Sequence, residues 1–214
     1  MKKLALTIVI LSLVFASVSF GAQTPFLKYP TVITSAGQSS EAEILTYVCD
    51  EMGIKYDYCD ILSEKEFAAG VGLGGAKSGP GKHVTVTSTQ AKGTKYESLW
   101  LVLGASLKGM GASGLSVDDE VSRLKKLINY AKDKKITLIA LAIGGEIRRG
   151  LPGSLNEQII DAVAPFCDVI ITTKDTNKDG KFTQLAKSKN LKFIEIDSQE
   201  SLLELVPEIF ITAK

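Results

Sequence analysis

The stretch Thr137–Gly150, TLIALAIGGEIRRG, sets a carboxylate and two adjacent arginines just beyond a diglycine. A guanidinium offers forked donors that match carboxylates and phosphates, and a lysine ammonium lacks that fork. Only Arg123, Arg148 and Arg149 are arginine among 25 basic residues, so the adjacent pair points to a small anionic ligand. Arg148 and Arg149 would neutralise that ligand, and Glu146 beside them is the candidate acid or base of an enzyme using the same cleft. The plainer reading is a solvated loop in which Glu146 pairs internally.

Gly104–Gly114, GASLKGMGASG, adds backbone amides that can approach a ligand closely, with Gly104, Ser106, Gly109 and Gly111 as contact candidates alongside Gly144 and Gly145. Gly109, Gly111 and Gly114 fit G-x-G-x-x-G between a strand and a helix, but the helix starts only after Gly114. Asp118, Asp119 and Glu120 in its first turn would repel a pyrophosphate, so a dinucleotide site is not expected. Asp175–Gly180, DTNKDG, matches the first half of a calcium loop with Asp175, Asn177 and Asp179 as oxygen ligands. Ala186 stands where the bidentate acid belongs, and Lys174, Lys178 and Lys181 surround the loop. An Asx-rich turn ahead of a helix explains the same residues. No cofactor is expected, with calcium the alternative. His83 is the sole histidine, so a Ser-His-Asp or Cys-His mechanism would have to use it, yet no G-x-S-x-G elbow follows a strand. Ala76–His83, AKSGPGKH, lacks the features of a P-loop.

The elements that must position these residues alternate. Thr31–Ser35 reads as a strand, Ser40 with Glu43 as a capping box opening a helix to Met52, and Lys55–Leu62 as a second strand. Residues 63–98 form an irregular, glycine-rich insertion, with a short helix at Glu64–Ala69 and a small extra strand at His83–Thr87, expected to cover one edge of the site or to be disordered. Ser98–Leu103 is a strand with Trp100 as a packing residue, and Ser116 caps a helix to Lys134. Ile136–Ile143 is apolar on both faces, as a central parallel strand is. Ser154 and Glu157 make another capping box, Asp168–Thr173 and Leu191–Ile196 are strands, and Pro207 interrupts the last helix. This pattern predicts a three-layer α-β-α domain, Rossmann-like or flavodoxin-like, with a mainly parallel sheet of five or six strands. In such a sheet Ser35–Ser39, Gly104–Gly114, Gly144–Gly150 and Thr172–Gly180 leave from one end, where ligands bind.

The 214 residues, 45% hydrophobic and 23% charged, suit a globular domain with a sizeable core. Lys2 and Lys3 before the apolar run Leu4–Phe15, and small residues up to Ala22, read as an export signal at 1–22, leaving a single domain at 23–214 that is periplasmic or extracellular. Removing Lys2 and Lys3 turns 25 basic against 24 acidic residues into 23 against 24, which argues against nucleic acid, and no stable membrane insertion of the mature chain is expected. Cys49, Cys59 and Cys167 are an odd set for an exported protein, and both a Cys49–Cys59 bond and three buried thiols fit.

Taken together, GASLKGMGASG, GGEIRRG and DTNKDGKFT along an exported α/β chain resemble a bacterial domain-of-unknown-function family of exported Rossmann-like proteins, from about Leu99 onward. The resemblance implies fold and export and transfers no activity. The residues themselves favour non-catalytic binding of a small anion, with an enzyme using Glu146 and an envelope protein-interaction domain as alternatives.

Overall fold

The computed structural model describes residues 24–88 and 95–210, so the expected signal at 1–22 lies outside the described residues. The chain runs β1 (Thr31–Ala36), α1 (Glu41–Glu51), β2 (Asp57–Cys59), α2 (Glu64–Ala69), β3 (Val84–Val86), β4 (Ser98–Leu103), α3 (Leu107–Ala112) and α4 (Val117–Asp133). It continues β5 (Thr137–Ala142), α5 (Glu146–Arg149), α6 (Leu155–Val163), β6 (Val169–Thr173), α7 (Lys181–Lys189), β7 (Lys192–Ile196) and α8 (Leu202–Ile209). The sheet order is β3-β2-β1-β4-β5-β6-β7. Among the described strands only β3 is antiparallel, paired to β2. Without β3 the order is the flavodoxin-like one with a strand added at the far edge, and β3 takes the count to seven.

Alternation along the strands builds two apolar layers. Val32, Leu99, Leu101, Leu138, Ala140 and Ile170 face one side, against Phe67 of α2, Leu124 and Ile128 of α4, Ile159 and Val163 of α6 and Phe182 of α7. Ile33, Trp100, Val102, Ile139, Leu141 and Ile171 face the other, against Leu45 and Val48 of α1 and Leu202, Val206 and Ile209 of α8. Central strands buried on both faces read as unbroken apolar runs, which is why β4, β5 and β6 are plain in the sequence.

Local details depart from expectation where a side chain has a stronger partner elsewhere. Ser40 precedes α1 but its hydroxyl makes no cap. Ser154 caps α6, yet Glu157 does not close a box because its carboxylate goes to Arg149. Pro207 lies inside α8, which continues to Ile209. The described part of the insertion is anchored in the core by Phe67, Val71, Ala76 and Tyr96, with Phe67 and Tyr96 stacked at 5.8 Å. It covers the β2 edge of the sheet. All three cysteines are buried and unbridged, and burial pushes the Cys49 and Cys59 thiols up to about 12.

Candidate functional site

Strand order reverses between β1 and β4, so the loops leaving them diverge and open a cleft at the carboxyl end of the sheet. Where they start, they touch. Gly37 has φ 110°, and a Cβ there would stand 2.5 Å from the Gly104 carbonyl oxygen. Gln38, at φ 60°, is pinned by its side-chain amide, which donates to the Asp60 carbonyl (3.0 Å) and to Glu120 Oε1 (3.3 Å). The Gly37 amide also donates to Glu120 Oε1, at 2.8 Å.

Glu120, read from the sequence as one of several helix-starting acids, is fully buried under the β1 loop. Arg123 neutralises it through Nε to Oε2 (2.8 Å) and Nη2 to Oε1 (2.7 Å), and spends its remaining donors on Thr34 Oγ1 and the Leu62 and Ser35 carbonyls. A carboxylate thus holds the backbone amide that in many nucleotide-binding sheets faces a phosphate. The acids do not fence the site; one of them is its foundation.

The cleft has a volume of about 600 Å³ and is lined by Ser35, Ser39, Asp60, His83, Lys108 and Arg148 among others. Ser35 Oγ and Ser39 Oγ are buried there without a partner among the described residues, as is Glu41 Oε2 nearby. Glu41 Oε1 accepts from Arg148 Nε at 2.7 Å, which fixes the guanidinium while leaving its side chain 41% exposed. The terminal nitrogens of Arg148 have no hydrogen-bond partner among the described residues. Gly104 makes room for this arrangement, since a Cβ would meet Ser39 Oγ at 2.0 Å and Glu41 Oε2 at 2.8 Å. Gly144 does the same for the Arg148 stem, at 2.5 Å.

Gly104–Gly114 is not the open loop expected: Leu107–Ala112 is helical, and Ser106 caps it by accepting from the Gly109 amide at 3.0 Å. Gly109 lets this helix lie on the Gln38 carbonyl, 2.0 Å from where a Cβ would be. Gly111 approaches nothing and does not line the cleft.

Register brings in a pair that the sequence did not reveal. Pairing of Cys59 with Val84 across β2 and β3 sets Asp60 beside His83. Asp60 accepts from the Ile61 amide (2.8 Å) and the His83 amide (3.0 Å), and its Oδ2 lies 3.0 Å from His83 Nδ1. The carboxylate side chain is 9% exposed and the imidazole 74%. Burial first, then the Asp60 charge, raise the neighbouring Tyr58 phenol, which stays a neutral donor at the cleft wall. The alternating HVTVT was the available signal, but pairing it with β2 requires knowing the register.

The arginine pair does not act as a clamp. Arg149 turns inward, 7% exposed, and every nitrogen is taken: Nε by Glu157 (2.6 Å), Nη1 by the Thr176 carbonyl (2.8 Å) and Asp179 (3.0 Å), Nη2 by Asp179 (2.9 Å) and Glu157 (3.3 Å). Its guanidinium lies over the Phe182 ring at 5.1 Å. Burial alone would raise Glu157, but hydrogen bonds from Arg149 and Lys181 outweigh it and hold the carboxyl below its ordinary value. The Arg149 hydrogen bond, against a smaller burial effect, does the same for Asp179. Adjacent residues on a helical turn point about 100° apart, so α5 separates Arg148 from Arg149.

Glu146 is also off the cleft. It pairs on the surface with Lys178 at 2.7 Å and lines a separate hollow of about 320 Å³ with Arg149, Asp175 and Asp179. Asp175 accepts from the Glu146 amide (3.1 Å) and crowds Gly145, whose φ of 78° and amide bond to Thr176 Oγ1 (2.8 Å) form the bend before α5. Asn177 accepts from the Phe182 amide (3.0 Å), and Asp179 accepts from the Lys181 amide (3.1 Å) as well as Arg149. These bonds satisfy the first amides of α7, whose N-cap is Gly180, and a guanidinium stands against Asp179 where a calcium loop would have its ion. Among the described residues no cluster of three or more His, Cys, Asp or Glu side chains is arranged to hold a metal.

A family model described as a domain of unknown function, DUF6305, matches residues 28–210. The chain belongs to that family. The matched span takes in the whole sheet and both sides of the cleft, so the resemblance first drawn from residues beyond Leu99 extends back through β1. No curated protein matches the chain. Two solved mutants of the esterase AlinE4, one with a serine and one with an aspartate replaced, are similar at TM-score 0.27: one has 12% identity, covering 90% of this chain and 85% of its own, and the other 13%, covering 87% and 85%. So little superposes that these esterases say nothing about chemistry in this chain.

Proposed function

We propose that this DUF6305 domain binds a small anionic ligand in the β1/β4 cleft, as an exported protein. The observation that carries the reading is Arg148: a guanidinium fixed at Nε by a buried carboxylate, with its terminal donors unpartnered beside two buried hydroxyls that also have no partner among the described residues. Buried polar atoms are ordinarily satisfied, so an unsatisfied group lining a cleft is a place for a ligand atom. Lys108 supplies a second cation, and Ser35, Ser39 and Ser106 supply hydroxyls. Asp60 and Glu43 on the same walls, with Glu41 on Arg148, offset the two cations, which disfavours a dianionic phosphate relative to a singly charged ligand.

The test is titration of the mature protein with acetate, succinate and inorganic phosphate by calorimetry, repeated on Arg148→Lys. Lysine keeps a charge beside Glu41 and removes the fork. Carboxylate affinity should fall about tenfold or more in the variant, an effect of ~1.4 kcal/mol. Equal affinity in the two proteins removes Arg148, and with it the reading. N-terminal sequencing of protein recovered from the cell envelope tests export, a chain still beginning at Met1 being the contrary result.

A protein-interaction role is the second reading, favoured by Leu107 at the start of α3, Ile147 in α5 and Leu151 just beyond it, which are 70%, 98% and 80% exposed. Crosslinking in the envelope with Ile147→Asp as control checks it; crosslinks that ignore the substitution count against it.

A further inference from the structure

Binding an anion gives no task to His83 or to its pairing with Asp60. We infer that the cleft is hydrolytic: His83, oriented by Asp60, acts as general base for water attacking the carbonyl carbon of a small ester that carries one negative charge. The inference rests on the anion reading above, since Arg148 and Lys108 would hold the charged end of the ester.

The geometry is that of a base with its orienting group. Asp60 is directed by two backbone amides, Ile61 at 2.8 Å and His83 at 3.0 Å, and its Oδ2 lies 3.0 Å from His83 Nδ1. Beside an ionised carboxylate Nδ1 carries the proton, which leaves the Nε2 lone pair available. No described residue bonds that nitrogen, and His83 is among the residues lining the cleft. Ser35 and Ser39 bring unpartnered hydroxyl donors to the same cavity.

The step balances without an oxidant or a further reactant. Water oxygen bonds to the carbonyl carbon as its proton passes to His83 Nε2, and the carbonyl π pair moves onto oxygen, where Ser35 and Ser39 donate to it. The pair returns, the ester C–O bond breaks, and the imidazolium gives its proton to the departing alkoxide. One water is consumed, and an acid and an alcohol leave. Asp60 touches none of the reacting atoms; it is a positioning residue.

The experiment follows 4-nitrophenolate release by the mature protein from mono-4-nitrophenyl succinate and from neutral 4-nitrophenyl acetate, with acetate affinity measured in parallel. Expected are saturable release from the anionic ester, a kcat/KM at least tenfold above that for the neutral ester, and a kcat lowered about a hundredfold or more in His83→Gln with KM and acetate affinity kept. Asp60→Asn should lower kcat less and leave KM in place, and Arg148→Lys should raise KM. Release that is unsaturable and equal for both esters marks an ordinary exposed imidazole and overturns the inference, as does turnover that survives His83→Gln. Acetate binding sensitive to Arg148 without saturable release overturns hydrolysis alone. Absence of acetate binding in the wild-type protein overturns the anion reading and this inference together.

Discussion

Arg148 and Arg149 are neighbours in sequence and opposites in use. Around Arg149, every donor and nearly every acceptor is matched: Glu157 takes Arg149 and Lys181, Asp179 takes Arg149 and the Lys181 amide, and Asn177 takes the Phe182 amide. Around Arg148, matching stops halfway, with one nitrogen on Glu41 and the remaining donors, one carboxylate oxygen and two serine hydroxyls left over. A closed network of charges fixes a loop, and an open one presents groups to a ligand. The difference teaches that densely placed charges can be spent on one another, and that incomplete hydrogen bonding is what singles out Arg148 as the candidate.

Breaking the closed side should give the largest effect. Arg149→Ala leaves Glu157, with a side chain 7% exposed, buried and short of its main partner, and should cost ~3–5 kcal/mol of stability in urea denaturation. The same network predicts an acid limit. Because Glu157 and Asp179 are held below their unfolded values, their contribution is present above the ordinary carboxylate range and is lost as pH falls through the lowered folded values. Urea midpoints should therefore drop below about pH 4 in the wild type, and the drop should be shallower in Arg149→Ala. Equal slopes in the two proteins would assign the acid limit to other carboxylates.

Gly104→Ala comes next, since its methyl would overlap Ser39 Oγ and Glu41 Oε2. It should cost ~1–3 kcal/mol and abolish anion binding, read by thermal melting and calorimetry. On the open side, Arg148→Lys should weaken carboxylate binding about tenfold while shifting the urea midpoint far less than Arg149→Ala does. The smallest effect sharpens the contrast within α3: Gly111→Ala meets nothing within 4 Å, and in a helix it should stabilise by ~0.5–1 kcal/mol without touching affinity.

The layered architecture was legible because it follows from unbroken apolar runs in β4, β5 and β6 and from the serine caps at Ser116 and Ser154, all of them local signals. The end of the sheet that holds the cleft followed from the α/β alternation. Side-chain allegiance did not. Arg148 and Arg149 separate because Glu146–Arg149 winds into a turn of helix, whereas the diglycine suggested only a bend. Glu120 looked like one more first-turn acid, and only the packing of α4 against β1 shows it inside, under Gly37. Asp60 and His83 stand 23 residues apart and meet through an antiparallel register that no periodicity encodes.

The contact between Gly37 and Gly104 bears on how the family can diverge. Each loop occupies the space that a side chain on the other side would need, so a larger residue at position 37 requires the backbone at 104 to move with it. Across relatives these two positions should therefore stay glycine together whatever is bound, while positions 83, 108 and 148 should change in concert with the ligand. Sorting members by the second set among those that keep the first would group them by chemistry and not by ancestry alone.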